Sequence, residues 1–164
     1  MSGPRDRDRA GRPRNARARD ELGRPLPRGA VSDALRIPDD LVVTPAEAAA
    51  LGGSLLAEGR PFHAHEVFEA AWKSAPGSDR ELWRGLAQIA VGLTHARRGN
   101  ARGAVTLLRR GAAAVRDGHT GDSAGIDPGF VAATADDLAA RIERDGLAAV
   151  PAADLLLALS PGSA

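Results

Sequence analysis

Phe62-His63-Ala64-His65-Glu66-Val67-Phe68-Glu69-Ala70-Ala71-Trp72 and, after a turn at Pro76-Gly77-Ser78, Leu82-Trp83-Arg84-Gly85-Leu86-Ala87-Gln88-Ile89-Ala90-Val91-Gly92-Leu93-Thr94-His95 decide the fold. In the first stretch Phe62, His65, Glu66, Glu69 and Trp72 recur at i, i+3, i+4, i+7 and so share one side of a helix. Ala64, Val67, Phe68, Ala71 and Ala75 take most of the remainder, which leaves little surface made for water and predicts a central helix over 61–74. In the second stretch Arg84, Gln88 and His95 form a stripe at i, i+4 and i+11, with Gly85 and Gly92 beside it allowing a close helix approach. An antiparallel hairpin pivoting near Gly77 sets Trp72 level with Leu82, Glu69 with Gly85, His65 near Gln88 and Phe62 near Gly92. That register predicts a Glu69–Arg84 ion pair and a hydrogen bond from Gln88 to His65 or Glu66, with His95 one or two turns further along.

The pattern continues on both sides of the hairpin. Thr44-Pro45-Ala46-Glu47 is a capping box with proline at the first helical position, and it launches a helix through Leu51, Leu55 and Leu56 that stops near Gly59. Its Gly52-Gly53 pair is either a weak point or a point of close contact. The third helix is predicted over 79–98. Gly99 suits a left-handed C-terminal position and Asn100 an N-cap, so a fourth helix should run to about Val115 with Ala104, Leu107, Leu108 and Val115 inward. Residues 118–125 read as a loop in which His119 is exposed. Asp127-Pro128 caps a fifth helix carrying Phe130, Val131, Leu138 and Ile142, and Pro151 opens a short sixth ending near Leu159. No segment alternates as a strand does. The expected fold is all-α, an up-and-down helical bundle of five to six helices over residues 41–160.

Residues 1–40 differ in character. Residues 1–30 hold nine arginines against four acids, leaving thirteen basic and seventeen acidic residues for the body under a net charge of +1. Almost no large apolar side chain offsets the entropy of ordering residues 1–28, so a disordered arm is expected over 1–40. Arginine can neutralise phosphate, but Asp6, Asp8, Asp20 and Glu21 are interspersed. A lone Lys73 against twenty-one arginines also points to an arginine-biased composition, so a solvated tail is preferred over a nucleic-acid arm. The 3% aromatic content and the absence of tyrosine argue against a base-stacking surface. With no cysteine there is no disulfide, no thiolate catalysis and no cysteine-ligated zinc. No apolar run approaches the roughly 18 residues of a membrane span, and the N-terminus has no signal-peptide core. The expectation is a cytoplasmic chain of 164 residues with one domain and no membrane partner.

His65-Glu66-Val67-Phe68-Glu69-Ala70-Ala71-Trp72, Gly85-Leu86-Ala87-Gln88-Ile89-Ala90 and the Gly99-Asn100-Ala101-Arg102-Gly103-Ala104 step with Leu107-Leu108 together resemble the domain-of-unknown-function 309 family of bacteria and archaea. The resemblance covers residues 44–115. It implies a small up-and-down helical bundle and, as the family's name records, no established activity. Arg84 stands where the family usually has a glutamine before the Gly-Leu pair.

Three readings of the candidate cluster His65, Glu66, Glu69, Trp72, Arg84, Gln88, His95 and Asn100 follow. In the first, His65 and Glu69, one turn apart, and His95 ligate a divalent metal such as zinc, manganese or iron, with Glu66 as base in a metal-dependent hydrolase. The stretch is similar to a zinc-hydrolase helix whose second histidine has become a glutamate, and His63 is outward or a further ligand. A divalent metal is the one cofactor considered; no cofactor is the preferred reading. In the second, Arg84, His95, Arg97 or Arg98 and the helix start at Asn100 bind a small anion or nucleotide, although the Gly-Asn turn lacks a phosphate-loop lysine. In the third, and favoured, reading the cluster is a polar core network that fixes helix register in a binding or structural module, with Trp72 and Trp83 covering it. Residues 85–115 are similar to one tetratricopeptide hairpin, but a single unit cannot make a solenoid, which leaves a homodimer through an alanine-rich face as the partner considered.

Overall fold

The computed structural model describes residues 17–32, 35–77, 79–118 and 124–162. Five α-helices follow one another: α1 (Pro45–Ala57), α2 (Pro61–Ser74), α3 (Arg80–Arg97), α4 (Ala101–Asp117) and α5 (Pro128–Asp145). Each packs on the next in the chain, as an up-and-down bundle with short connections requires. No strand occurs among the described residues beyond one isolated bridge between Arg19 and Pro25, and no helix among them is long and apolar enough to cross a membrane.

The helix ends lie where the side chains dictate. Thr44 Oγ1 accepts from the Glu47 amide at 3.3 Å while the Glu47 carboxylate accepts from the Thr44 amide at 2.8 Å, closing the capping box of α1. Asp127 Oδ1 accepts from the Phe130 amide at 2.9 Å at the start of α5. Gly99 has φ +80°, the left-handed turn that reverses the chain between α3 and α4 and that a side chain would strain.

The core is built from Phe68 and Val67 of α2, Trp83, Leu86, Ile89 and Leu93 of α3, Leu108 and Val115 of α4 and Val131 of α5, all essentially inaccessible. At about 1.5–3 kcal/mol for each large side chain removed from water, this cluster supplies the main driving force for folding. Phe68 reaches in two directions. Its ring lies 6.2 Å from that of Trp83, and a Cβ at Gly52 of α1 would fall 2.2 Å from it, so Gly52 is a point of close contact and not a weak one.

Helices α2 and α3 pack as the expected hairpin, but the glycines of α3 do not face α2. Gly85 and Gly92 face α4, away from Glu69 and Phe62. A Cβ at Gly85 would lie 2.7 Å from the Val115 amide nitrogen and 2.8 Å from the Gly111 carbonyl oxygen, and a Cβ at Gly111 would lie 2.7 Å from the Gly85 carbonyl oxygen. Gly92 repeats the contact one level along, with a Cβ 3.0 Å from the Leu108 amide nitrogen and 3.3 Å from the Ala104 carbonyl oxygen. The two helices thus touch backbone to backbone along a glycine seam, and α3 turns Trp83 toward Phe68 instead.

The sixth helix is also corrected. Residues 147–155 form two 3₁₀ turns, Leu147–Ala149 and Ala152–Leu155, and the chain then runs extended. Leu155, Leu157 and Leu159 are buried while Leu156 is 43% exposed, a period of two that an α-helix cannot satisfy. The Asp127 amide donates to the Leu159 carbonyl at 2.8 Å and ties this tail to the start of α5.

Of the arm expected over 1–40, residues 1–16 lie outside the described residues, as does His119. Residues 17–32 and 35–40 take a non-helical course against the bundle. Asp20 Oδ1 accepts from the amides of Leu22 and Arg24 at 3.0 and 2.8 Å, which folds a tight turn whose Gly23 sits on the Phe62 ring. Arg98 at the end of α3 donates from Nε to the Leu22 carbonyl at 2.9 Å.

Gly85→Ala should destabilise by about 1–3 kcal/mol or more, since its methyl meets backbone that cannot rotate away. Gly77→Ala, where a Cβ meets nothing within 4 Å, should stay within roughly 0.5 kcal/mol of wild type in the same urea titration. Equal effects at the two positions would contradict the seam.

Candidate functional site

Pro61 opens α2 with no side-chain cap, and its missing N–H removes one of the donors the helix start would leave orphaned. From that fixed start the helix places His63, His65, Glu66 and Glu69 beneath the N-terminal segment, where they line a cleft of about 930 Å³. The opposite wall comes from residues 17–20, 27–32, 35–37 and 39, including Arg17, Arg19, Arg28, Arg36 and Asp39. Phe62 stands at the boundary, with its ring 5.6 Å from His63 in a T-shaped contact and the Arg19 guanidinium 5.9 Å from its centroid. A smaller hollow of about 450 Å³ adjoins it, sharing Ile37, Asp39, Glu66 and Glu69 with the cleft and adding Lys73.

His63 is 2% exposed. Burial holds its imidazole below the usual histidine range, although a backbone hydrogen bond with Leu35 acts in the opposite sense. Its Nδ1 is buried with no hydrogen-bond partner. Burial likewise depresses His65, against the pull of the Glu69 carboxylate 3.7 Å from its Nε2. His65 Nδ1 is also buried and unpartnered. Glu69 further pairs with Lys73 at 3.0 Å. Burial, with the negative charges of Asp39 and Glu69 adding to it, pushes the Glu66 carboxyl up to about 7, while Arg19 and Arg36 pull the other way. One cleft therefore gathers two imidazoles that burial holds below the usual histidine range and a carboxyl pushed up to about 7.

The cluster expected from sequence divides. His65, Glu66 and Glu69 come together. Trp72 is half-buried against the core, with the Arg80 guanidinium 5.5 Å from its ring centroid. Arg84 is exposed and pairs with Glu81 at 3.3 Å, so the Glu69–Arg84 ion pair does not form; the rotation of α3 toward α4 carries Arg84 outward. Gln88 Oε1 is buried without a partner, as is His65 Nδ1, so the expected link between them is not made. His95 and Asn100 belong to the α3–α4 turn, where Asn100 Nδ2 donates to His95 Nδ1 at 2.9 Å and Asn100 Oδ1 accepts from the Gly103 amide at 2.9 Å.

This placement separates the three metal ligands read from the sequence, because His95 is engaged by Asn100 while His65 and Glu69 face the cleft. Among the described residues no group of three or more histidine or acidic side chains is arranged to hold a metal ion. The anion reading is divided in the same way. Arg84 lies near the start of α3 and Asn100 beyond its end, roughly 20 Å apart at 1.5 Å per residue, and the Asn100 side chain itself caps α4. Sequence reasoning missed Arg19, Arg36 and Asp39. The signals that bear on them are the turn chemistry of Asp20-Glu21-Leu22-Gly23 and the Ile37-Pro38-Asp39-Asp40 step, neither of which is periodic.

The chain is thus a small helical bundle in which one helix and an irregular N-terminal segment wall a cleft with perturbed histidine and glutamate side chains. Residues 50–107 match the family model DUF309, a domain of unknown function, and the resemblance read from the sequence is shown over that span. The matched residues run from α1 into α4 and include His63, His65, Glu66 and Glu69, whereas the opposite wall of the cleft lies outside them. No curated protein and no solved structure matches the chain.

The pH dependence of stability follows from the directions of these shifts. Glu66 keeps its proton to higher pH when folded than the ordinary 4.5, so its cost to stability is absent below about 4.5 and complete above about 7. His63 and His65 titrate below their ordinary 6.5 when folded, so their cost appears as pH falls through that value. Glu66→Gln should therefore stabilise at pH 8 by on the order of 1 kcal/mol, the full linkage figure being discounted for partial solvent access, and change little at pH 4.5. Thermal melts across that range check the sign; a benefit that grows toward acid would contradict it.

Proposed function

We propose that the protein is a ligand-binding module of a cytoplasmic setting, and that the cleft between α2 and residues 17–20, 27–32, 35–37 and 39 is its binding site. The observation that carries this reading is that one cleft is lined by His63, His65 and Glu66, and that each of the two histidines buries an unpartnered Nδ1. A buried polar atom without a partner costs about 1–3 kcal/mol, and a core network selected only for stability would pair such atoms or replace them with apolar groups. A volume of about 930 Å³ is in the range of small-molecule sites, and a carboxyl displaced to about 7 beside two depressed histidines has the character of a functional cluster. Binding is preferred over metal-dependent hydrolysis because His65 and Glu69 lack a third ligand from His95.

The test is two-dimensional amide NMR of the full chain titrated with a defined library of small polar fragments, beside metal analysis of chelator-free protein. Fragments should perturb the amides of His63, His65, Glu66 and Arg36, and His65→Trp, which fills the cleft, should abolish the effect. Perturbations confined to the turn at His95 and Asn100, or an equimolar metal lost in His65→Ala, would overturn the proposal.

A further inference from the structure

Residues 17–26 carry their own hydrogen bonds. Besides the Asp20 carboxylate that gathers the amides of Leu22 and Arg24, the Leu26 amide donates to the Ala18 carbonyl at 2.8 Å and the Gly23 amide to the Asp20 carbonyl at 2.9 Å. The turn would keep these bonds if it left the helices, so it can move as a unit. Its ties to the bundle are sparse. Within 17–26 only Gly23 is buried, and after it no described residue is buried until Ile37. Gly23 sits on the Phe62 ring, and the Arg19 guanidinium lies 5.9 Å from the centroid of the same ring. Arg98 donates from Nε and Nη2 to the Leu22 carbonyl, and Glu21 pairs with Arg60 at 3.6 Å. Exposed pairs of this kind contribute little, and segments with few buried contacts open before the core does. Residues 27–31 are all exposed and supply a pivot.

The same turn is part of the cleft. Arg17, Ala18, Arg19 and Asp20 line it, whereas Glu21, Leu22, Gly23, Arg60 and Arg98 do not. One unit therefore walls the site with one set of residues and holds on to the bundle largely with another. Resting on the binding role assigned to this cleft, we infer that residues 17–26 are a flap whose docking on Phe62 and Arg98 completes the site, so that ligand binding and flap docking reinforce each other. A ligand that touches Arg17, Arg19 or Asp20 binds the docked form better, and by linkage its presence raises the docked fraction. Its apparent affinity falls in proportion as that fraction falls.

Gly23→Val and Arg98→Gln test this in the full chain, because neither residue lines the cleft and either change reaches it only through docking. A Cβ at Gly23 falls 2.2 Å from the Phe62 ring, at a φ of +71° that a β-branched residue avoids. Two-dimensional amide NMR reads the docking. In both variants the amides of residues 17–26 should move from their wild-type shifts while those of Leu86, Ile89 and Leu108 keep theirs. The library fragments that perturb the cleft amides of the wild type should bind Gly23→Val at least about tenfold more weakly, and Arg98→Gln should weaken them in the same direction. In the wild type, saturating fragment should slow solvent exchange of the Arg98 Nε proton. If Gly23→Val fails to fold, Arg98→Gln, on an exposed side chain, decides alone. Core amides that move as far as those of the turn in Arg98→Gln would overturn the inference. Fragments that bind both variants as tightly as the wild type would sink the flap and leave the binding role standing, whereas a wild type that binds no fragment would overturn both.

Discussion

The close approach of α3 and α4 is the constraint on which the rest of the structure depends. Gly85 and Gly111 each sit where a Cβ would collide with the other's carbonyl oxygen, and Gly92 repeats the arrangement against Leu108 and Ala104. With no side chains between them, the two backbones meet at van der Waals distance, and the rotation of α3 is thereby set. Trp83 is directed toward Phe68, Arg84 is turned out to Glu81, and no ion pair links Glu69 to α3 among the described residues. Such contacts resist small adjustments because densely packed interiors deform in discrete steps.

What α3 does not cover, the N-terminal segment covers instead. Its turn around Asp20 is held by side-chain bonds to backbone amides, and its tip is pinned by Phe62 below Gly23 and by Arg98 at Leu22. The polar face of α2 is thereby partly withdrawn from bulk water, and two of its buried atoms, His63 Nδ1 and His65 Nδ1, find no partner inside the protein. This combination is costly, and it is the reason the histidines lie below and Glu66 above their ordinary ranges. A fold whose glycine seam and apolar core are fully satisfied can carry a few such groups, and their concentration in one cleft is the basis for the binding role.

Much of the fold is legible in the residues. The capping box at Thr44, the prolines at the starts of α1, α2 and α5, and the Gly99-Asn100 turn mark helix ends that the structure keeps within a residue or two. These signals are local, each resting on hydrogen bonds within four residues or on the fixed φ of proline. The sixth helix misleads because Leu155, Leu156, Leu157 and Leu159 form an apolar run too short for periodicity to tell a helix from an extended strand. Of the cluster, His65, Glu66 and Glu69 are legible because they lie within one turn of each other, while Arg84, Gln88 and His95 depend on a partner helix that turns elsewhere.

The sequence by itself determined the helices, their caps and the polar character of one face of α2, since all of these follow from neighbours along the chain. Only the tertiary structure decided which faces meet. Helix α3 is apolar or glycine-lined on most sides, so its periodicity names no neighbour. The choice of α4 over α2 for its glycine face came from the mutual fit of Gly85 and Gly92 with Ala104, Leu108 and Gly111 across two helices. The cleft was decided in the same way, because the contact between Leu22 and Arg98 spans 76 residues and no local rule of spacing can express it.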